Sequence, residues 1–426
     1  MRRALSDRSF VFVLALVLSA VLSGPSDVTA APWPAGAGSS VPISGAENNL
    51  SGATWNPESQ ALWVVRQNGR VWEFTYDSGS QAFELAQSPT LPSEIGSDIE
   101  SCAQVDHLIP DELYTLSEDD GRLARVVNIG SAATVMAVWN LEVTNNGHAL
   151  PPETSGDGAE GLEFVPDADL LAAGFRFPDG SVFFGSTRGM GGLIFVGHQI
   201  DSRLHVFDVN PDVSEDFVNR GSFQTSSSEI AGLHFDRTSG LMYLWHNPND
   251  VNSLEISTLS SNALVGTLDT LELYDSGMPS GKLEGIALVS RFSCGLFGSA
   301  DPDRTLFLTR DGGSPNLMAF DDFPCDCTGA VNQNEFDFCS TSGDLSSGCV
   351  CLDMDLDGDV DCDDFEPMTF EQCSATTLPT LGPWGYRLLI SLVLLGSIRT
   401  LTGYSWTLRG PSDPERGPGT GAASER

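Results

Sequence analysis

The chain holds 426 residues, 58 acidic against 21 basic, for a formal net charge of −37. Such a charge repels nucleic-acid phosphates and excludes a nucleic-acid partner; it suits cations, basic partners and a well-solvated exported surface. The length leaves room for two or three domains, or for one repeat domain of more than about 250 residues with appendages.

The N-terminus reads as a processing signal. Arg2, Arg3 and Arg8 form a basic stretch, Phe10 to Leu22 an apolar core, and Val28 and Ala30 are the small residues preceding a cut before Ala31. Residues 1–30 are therefore expected to be a signal peptide, and export permits disulfides. Residues 31–47, rich in Pro, Gly and Ser, are expected to run extended and to supply an outer strand that closes a ring.

Five segments of one pattern follow: Asn49-Leu50-Ser51-Gly52-Ala53, Asp98-Ile99-Glu100-Ser101-Cys102, Gly158-Ala159-Glu160-Gly161-Leu162, Glu229-Ile230-Ala231-Gly232-Leu233 and Lys282-Leu283-Glu284-Gly285-Ile286. Four are trailed by a short aromatic or aliphatic strand: Ala61 to Val65, Glu112 to Leu116, Leu241 to Trp245 and Thr305 to Thr309. In the third repeat, Ser181-Val182-Phe183-Phe184-Gly185 is assigned that place. A polar turn and another strand come next, as in Gly69 to Phe74 and Arg203 to Phe207. Gly, Asn, Asp and Pro punctuate the turns, and no long 3.6-residue periodicity intervenes. Repeats of roughly 40–60 residues built from short strands stack around an axis or along a line. The expectation is an all-β fold with a five-bladed β-propeller over residues 31–323, six blades being the alternative count. Asn145 to Asp157, rich in turn formers, and Gly189 to Asp201, a Gly-rich run ending in a strand, break the spacing and read as insertions, which map to loops on one face, where repeat folds often bind.

Repeat symmetry would set equivalent residues in a ring around the axis. Glu100, Glu160 and Glu284 fill the third motif position in repeats two, three and five; Ser51 and Ala231 stand there in one and four. Carboxylates converging on one channel repel unless they share protons or bind a cation, and calcium is the simplest relief. Asn49, Asp98 and Glu229, two positions earlier, are candidate extra oxygen donors. The other reading has each carboxylate capping its own turn. The pattern of an acidic or polar residue, Leu or Ile, Glu, Gly and Leu or Ile, followed by Leu-Tyr or Leu-Phe strands, resembles the SdiA-regulated family of exported β-propellers. That family is related to NHL-type and phytase-like propellers, and the resemblance covers nearly all of residues 48–322. It implies five blades and a bound calcium, with no established reaction. Glu100-Ser101 and Ala231-Gly232 depart from its Glu-Gly pair.

Residues 324–374 read as a second unit. Seven of the nine cysteines fall between Cys325 and Cys373, with Cys102 and Cys294 apart in the repeat region. Clustering of this kind marks a small module stapled by disulfides, and the odd total leaves one thiol free or paired with another chain. The spacings Cys325-x-Cys327 and Cys349-x-Cys351 fit zinc poorly. Asp353-x-Asp355-x-Asp357-Gly358-Asp359-Val360-Asp361-x-x-Asp364 has the spacing of an EF-hand loop, with glycine at the sharp turn and an aliphatic residue two positions on. Asp353, Asp355, Asp357, Asp359 and Asp364 are the expected calcium ligands. Gly329 to Phe336 echoes Gly358 to Phe365 with two aspartates replaced, by Pro324 and Thr328. Paired loops ending in an acidic residue and Phe resemble a dockerin, which implies a cohesin-like partner; a metal-stabilised spacer is the alternative.

The C-terminal stretch Leu378-Pro379-Thr380-Leu381-Gly382-Pro383-Trp384-Gly385 is followed by the apolar run Leu388 to Ile398 and by Arg399. It resembles the IPTL-CTERM protein-sorting signal, which implies that residues 375–399 hold an exported chain at the membrane for a sorting enzyme. Arg387 interrupts the run, and residues 400–426 form a long tail expected to be disordered. At ~1.5 Å per residue, Trp384 to Ile398 spans roughly 22 Å, short of a ~30 Å hydrocarbon core unless Arg387 snorkels.

Standard catalytic signatures are missing: no Gly-x-Ser-x-Gly elbow, no His-Glu-x-x-His, no phosphate loop and no dinucleotide fingerprint. One reading is a calcium-binding, membrane-retained envelope protein whose propeller binds a ligand or partner without catalysis. The other is a calcium-dependent hydrolase of phosphate esters or lactones, in which a channel ion activates water and His107 or His234 serves as base. An open metal position beside a titratable base separates the two.

Overall fold

The structure, a computed structural model, describes residues 30–34, 41–260, 264–298 and 303–325. Residues 1–29 of the expected signal peptide, the Asp353–Asp364 loop, the dockerin-like module beyond Cys325 and the C-terminal sorting segment lie outside the described residues.

The described chain enters with two short strands, β1 (Ala30–Pro32) and β2 (Val41–Pro42). Blade 1 comprises β3 (Leu50–Asn56), β4 (Ala61–Arg66), β5 (Val71–Asp77) and β6 (Ala82–Gln87). Blade 2 comprises β7 (Ile99–Ala103), β8 (Leu113–Ser117), β9 (Arg122–Val127) and β10 (Thr134–Asn140). Blade 3 comprises β11 (Ala159–Pro166), β12 (Gly192–His198), β13 (Arg203–Val209) and β14 (Phe217–Gln224). Blade 4 comprises β15 (Ile230–Asp236), β16 (Leu241–His246), β17 (Ser253–Thr258) and β18 (Asp269–Ser276). Blade 5 comprises β19 (Leu283–Leu288), β20 (Asp303–Arg310) and β21 (Leu317–Pro324). Within each blade, hydrogen bonding follows chain order outward from the first strand. Those first strands neighbour one another in the cycle β3, β7, β11, β15, β19 and back to β3, which closes a five-bladed β-propeller around a channel.

Closure uses the residues before the first repeat, as their composition implied. β2 pairs antiparallel with β21 and completes blade 5, with Val41 opposite Ala319. β1 pairs parallel with β18 and adds a fifth strand to blade 4, with Ala30 opposite Leu273. Pro32 and Pro42 sit on these outer edges, the sheet position that tolerates a missing N–H.

The second strands β4, β8, β16 and β20 are buried along almost their full length. Neighbouring blades cover both faces, so these strands read as continuous apolar runs rather than alternations. Five apolar clusters result, one at each blade interface. Trp33, from the segment after β1, seals the interface of blades 4 and 5 with its ring edge-on to Trp245 and Phe320 at 5.9 and 5.6 Å.

Blade 3 departs from the sequence expectation. Its second strand is β12, at Gly192–His198; Ser181 to Gly185 lies in the insertion after a single-turn-and-a-half helix α1 (Asp167–Ala172). Phe183 packs into the interface of blades 3 and 4, whereas Phe184 is 87% exposed. Cys294 also has a partner: it lies at disulfide distance from Cys325, Cα–Cα 6.1 Å, tying the loop before β20 to the end of β21. Cys102 is a buried free thiol.

Candidate functional site at the channel mouth

Each repeat motif is the start of an inner strand, and each slips register there: between Leu50 and Ala53, Ile99 and Ser101, Ala159 and Gly161, Ile230 and Gly232, and Leu283 and Ile286. A bulge inserts an unpaired residue and re-aims its side chain. The third motif position is the one re-aimed, and the fourth packs sideways onto the next inner strand. A Cβ built on Gly285 would lie 2.3 Å from the Ser51 carbonyl oxygen, and one on Gly232 would lie 2.4 Å from that of Glu284. In blade 2 the fourth position is Ser101, whose hydroxyl accepts the Leu162 N–H of the next inner strand at 3.1 Å. The glycine of the Glu-Gly pair is therefore a packing requirement of the ring, and the glutamate before it is free to serve the channel.

Glu100, Glu160 and Glu284 share one electrostatic environment. They are 2%, 4% and 2% exposed, and each keeps one carboxylate oxygen with no hydrogen-bond partner. Burial drives the Glu100 carboxyl well above its ordinary range, and Glu284 and then Glu118 push it further. Glu160 is raised by burial and then by Glu100, Glu284 and Glu118. Glu284 is pushed up to about 7 by burial, against the opposing pull of Lys282. Glu100 thus feels Glu284, and Glu160 feels both.

Two more acids join them. Asp98, in left-handed backbone at φ 54°, and Glu118 come together with Glu100 so that one oxygen from each lies within 4.8 Å of the others. Oxygens that each bind one calcium ion at 2.3–2.6 Å stand at most about 5 Å apart, so this triad has the spread a single hard cation needs. Burial and then Asp98 push Glu118 up to about 7, and one of its oxygens is also unpartnered. Opposite them, the Lys282 ammonium donates to Glu284 Oε1 at 2.8 Å and to Asp311 Oδ2 at 3.0 Å.

Glu118, Asp311 and Lys282 were not among the sequence candidates, although a signal for them exists. Glu118 follows β8 directly and Asp311 follows β20 directly, as Gln199 and Asn247 follow β12 and β16. Each of the four donates its backbone N–H to the first motif residue of its own blade, at 2.9, 3.1, 2.8 and 3.0 Å. Aligning the ends of the second strands would have brought them into the set. Glu229 goes elsewhere: its carboxylate accepts the Asn249 N–H at 3.1 Å and caps a local turn.

The histidines proposed as bases occupy a different level. His234 and Glu163 lie three residues beyond Ala231 and Glu160 on their strands, roughly 10 Å along the channel at about 3.3 Å per residue. Glu163 accepts the N–H groups of Phe164 and Phe235 at 2.8 and 3.0 Å, and burial pushes it up to about 7. His234 Nδ1 stands 3.8 Å from Glu163 Oε2, and burial lowers the ring to about 4. His107 is lowered to about 2 by burial, then by Arg237 and His234. Beyond them, Asp236 feels burial upward but is carried down to about 2 by Arg304, which donates to it at 2.6 Å and to the Tyr243 hydroxyl at 2.7 Å. The channel thus has an acidic mouth and a histidine-bearing interior, and a base must reach within about 3 Å of the proton it takes.

No family model matches the chain, and no curated protein matches it. Among solved structures, it is similar to a chain of a nidogen/laminin complex at 10% identity, covering 62% of this chain and 72% of that one, with a TM-score of 0.34. It is also similar to a chain of a mitotic checkpoint complex at 13% identity, with 66% and 76% covered and a TM-score of 0.32. A Dos1 propeller gives 12% identity, 66% and 57% covered, and 0.31. Scores this low carry no argument about activity or partner; the fold stands on the strand order described above.

Proposed function

We propose that this chain is an exported, calcium-loaded β-propeller that works as a binding scaffold at the cell envelope, without catalysis. In this reading the small cystine-rich unit with its Asp353 loop spaces or docks the propeller, and the C-terminal segment holds the chain at the membrane. The reading keeps the resemblances to the SdiA-regulated propellers, to dockerins and to the IPTL-CTERM signal as its family assignments.

The observation that carries it is the mouth: five buried or half-buried acids, four with an unpartnered oxygen, around a triad of single-cation spread. Asp98, Glu100 and Glu118 would hold the ion, with Glu160 within electrostatic reach of Glu100 and Glu118. A carboxylate set of this kind selects a hard cation such as calcium. Bound there, the ion would supply positive charge to the blade 2 side, which Lys282 supplies only to Glu284 and Asp311 of blade 5. The hydrolase reading needs a base beside that ion, whereas His234 lies three residues along β15 from the motif level and His107 lies past the far end of β7, beside Asn56 at the end of β3.

The test uses the full chain carrying Asp353→Asn and Asp355→Asn, which silences the EF-hand-like loop. Calcium at about 100 times its dissociation constant should stabilise it by about 2.7 kcal/mol, a shift of a few degrees in Tm. Glu160→Gln should reduce that shift. An unchanged Tm across millimolar calcium would defeat the reading.

A further inference from the structure

Blades 2 and 5 present the same three positions to the mouth with one reversal of charge. Blade 2 offers Asp98 at the first motif position, Glu100 at the third and Glu118 after its second strand; blade 5 offers Lys282, Glu284 and Asp311. The backbone pairing is the same in both: Glu118 N–H to Asp98 C=O at 2.9 Å, and Asp311 N–H to Lys282 C=O at 3.1 Å. In blade 2 the three oxygens gather within 4.8 Å. In blade 5 an ammonium bridges the two carboxylates at 2.8 and 3.0 Å, hydrogen-bonding distances for a compact point charge. Lys282 is the only lysine in the chain.

We propose that Lys282 is a built-in cation filling a second ion position of the mouth, so that the channel takes one divalent ion on the blade 2 side and rejects another on the blade 5 side. This inference rests on the calcium reading above. The Lys282 stem crosses from the strand to the two carboxylates, and Glu284 retains a second oxygen that is buried and unpartnered. Withdrawing the ammonium leaves Glu284 and Asp311 facing each other across the place it held, 2.8 and 3.0 Å from their oxygens. Two divalent ions at one narrow mouth would repel strongly at a few ångströms; a tethered monovalent charge offsets the blade 5 carboxylates at half that charge.

The experiment counts calcium ions per chain by equilibrium dialysis, on the full chain with Asp353→Asn and Asp355→Asn. This background should hold one ion, and adding Lys282→Asp should raise the count to two, the second lost again on adding Glu284→Gln. One ion in both, with the Lys282→Asp chain folded by circular dichroism, overturns the inference and leaves the calcium reading intact. No ion in the background overturns the calcium reading itself. Should Lys282→Asp fail to fold, Lys282→Ala, which removes the ammonium and empties its place between Glu284 and Asp311, decides instead: two ions support the inference and one refutes it.

Discussion

At Glu118 and Glu284 burial lifts the carboxyl groups from their ordinary 4.5 to about 7, and Glu100 and Glu160 move the same way. An acid that binds protons more tightly folded than unfolded favours the folded state below its unfolded value and loses that contribution as pH rises through its folded value. The ion-free protein should therefore melt several degrees lower at pH 7.5 than at pH 5, and calcium should narrow or reverse the difference. Calorimetry at the two pH values, with chelator and with calcium, checks this; an ion-free protein that is more stable at pH 7.5 would contradict it. Glu100, Glu160 and Glu284 were legible in the sequence because they recur at one motif position. Glu118 and Asp311 were not, because their equivalence runs through the ends of the second strands, whose lengths differ between blades. Glu229 shows the reverse failure: it shares a motif position with Asp98, yet Asn249 captures its carboxylate.

Among elements, the inner strand is where backbone crowding decides the residue. Gly285 faces the Ser51 carbonyl, and its N–H donates to the Thr309 hydroxyl at 2.6 Å. Gly285→Ala should cost about 1–3 kcal/mol through forced separation of blades 5 and 1; urea unfolding measures it, and a loss below 0.5 kcal/mol would argue against close packing there. In the sequence the glycine read as part of an acidic motif, because a packing requirement and a binding motif look alike when they recur together. The second strand of blade 3 was misplaced for a related reason. Val182-Phe183-Phe184 has the composition of a strand, but an insertion carrying α1 displaces the true second strand to Gly192–His198, within the Gly-rich stretch whose strand the sequence assigned to an insertion.

For the whole molecule, the fold class, the five blades and the outer strand supplied by residues before the first repeat were all legible, since each follows from repetition or from composition. The odd cysteine total implied an unpaired thiol, but which cysteine it is, and the pairing of Cys294 with Cys325, were not legible. Pairing of Cys294 with Cys325 and burial of Cys102 leave Cys327, Cys339, Cys349, Cys351, Cys362 and Cys373, an even set. Titration without reductant should find no reactive thiol in the folded protein and one per chain after denaturation. Two or more after denaturation would mean that the small unit is not fully oxidised. The closing strands carry a further consequence. β2 finds its partner β21 only when Ala319 is available to Val41, so the earliest part of the propeller to leave the ribosome is among the last to find its place. Contacts so distant along the chain are slow to form. Until the final blade exists the ring has an open seam, and a chain in that condition remains threadable. If the chain is exported unfolded, as proposed, the lateness of closure would act as a timer, keeping the barrier to transport low until the whole propeller has been delivered.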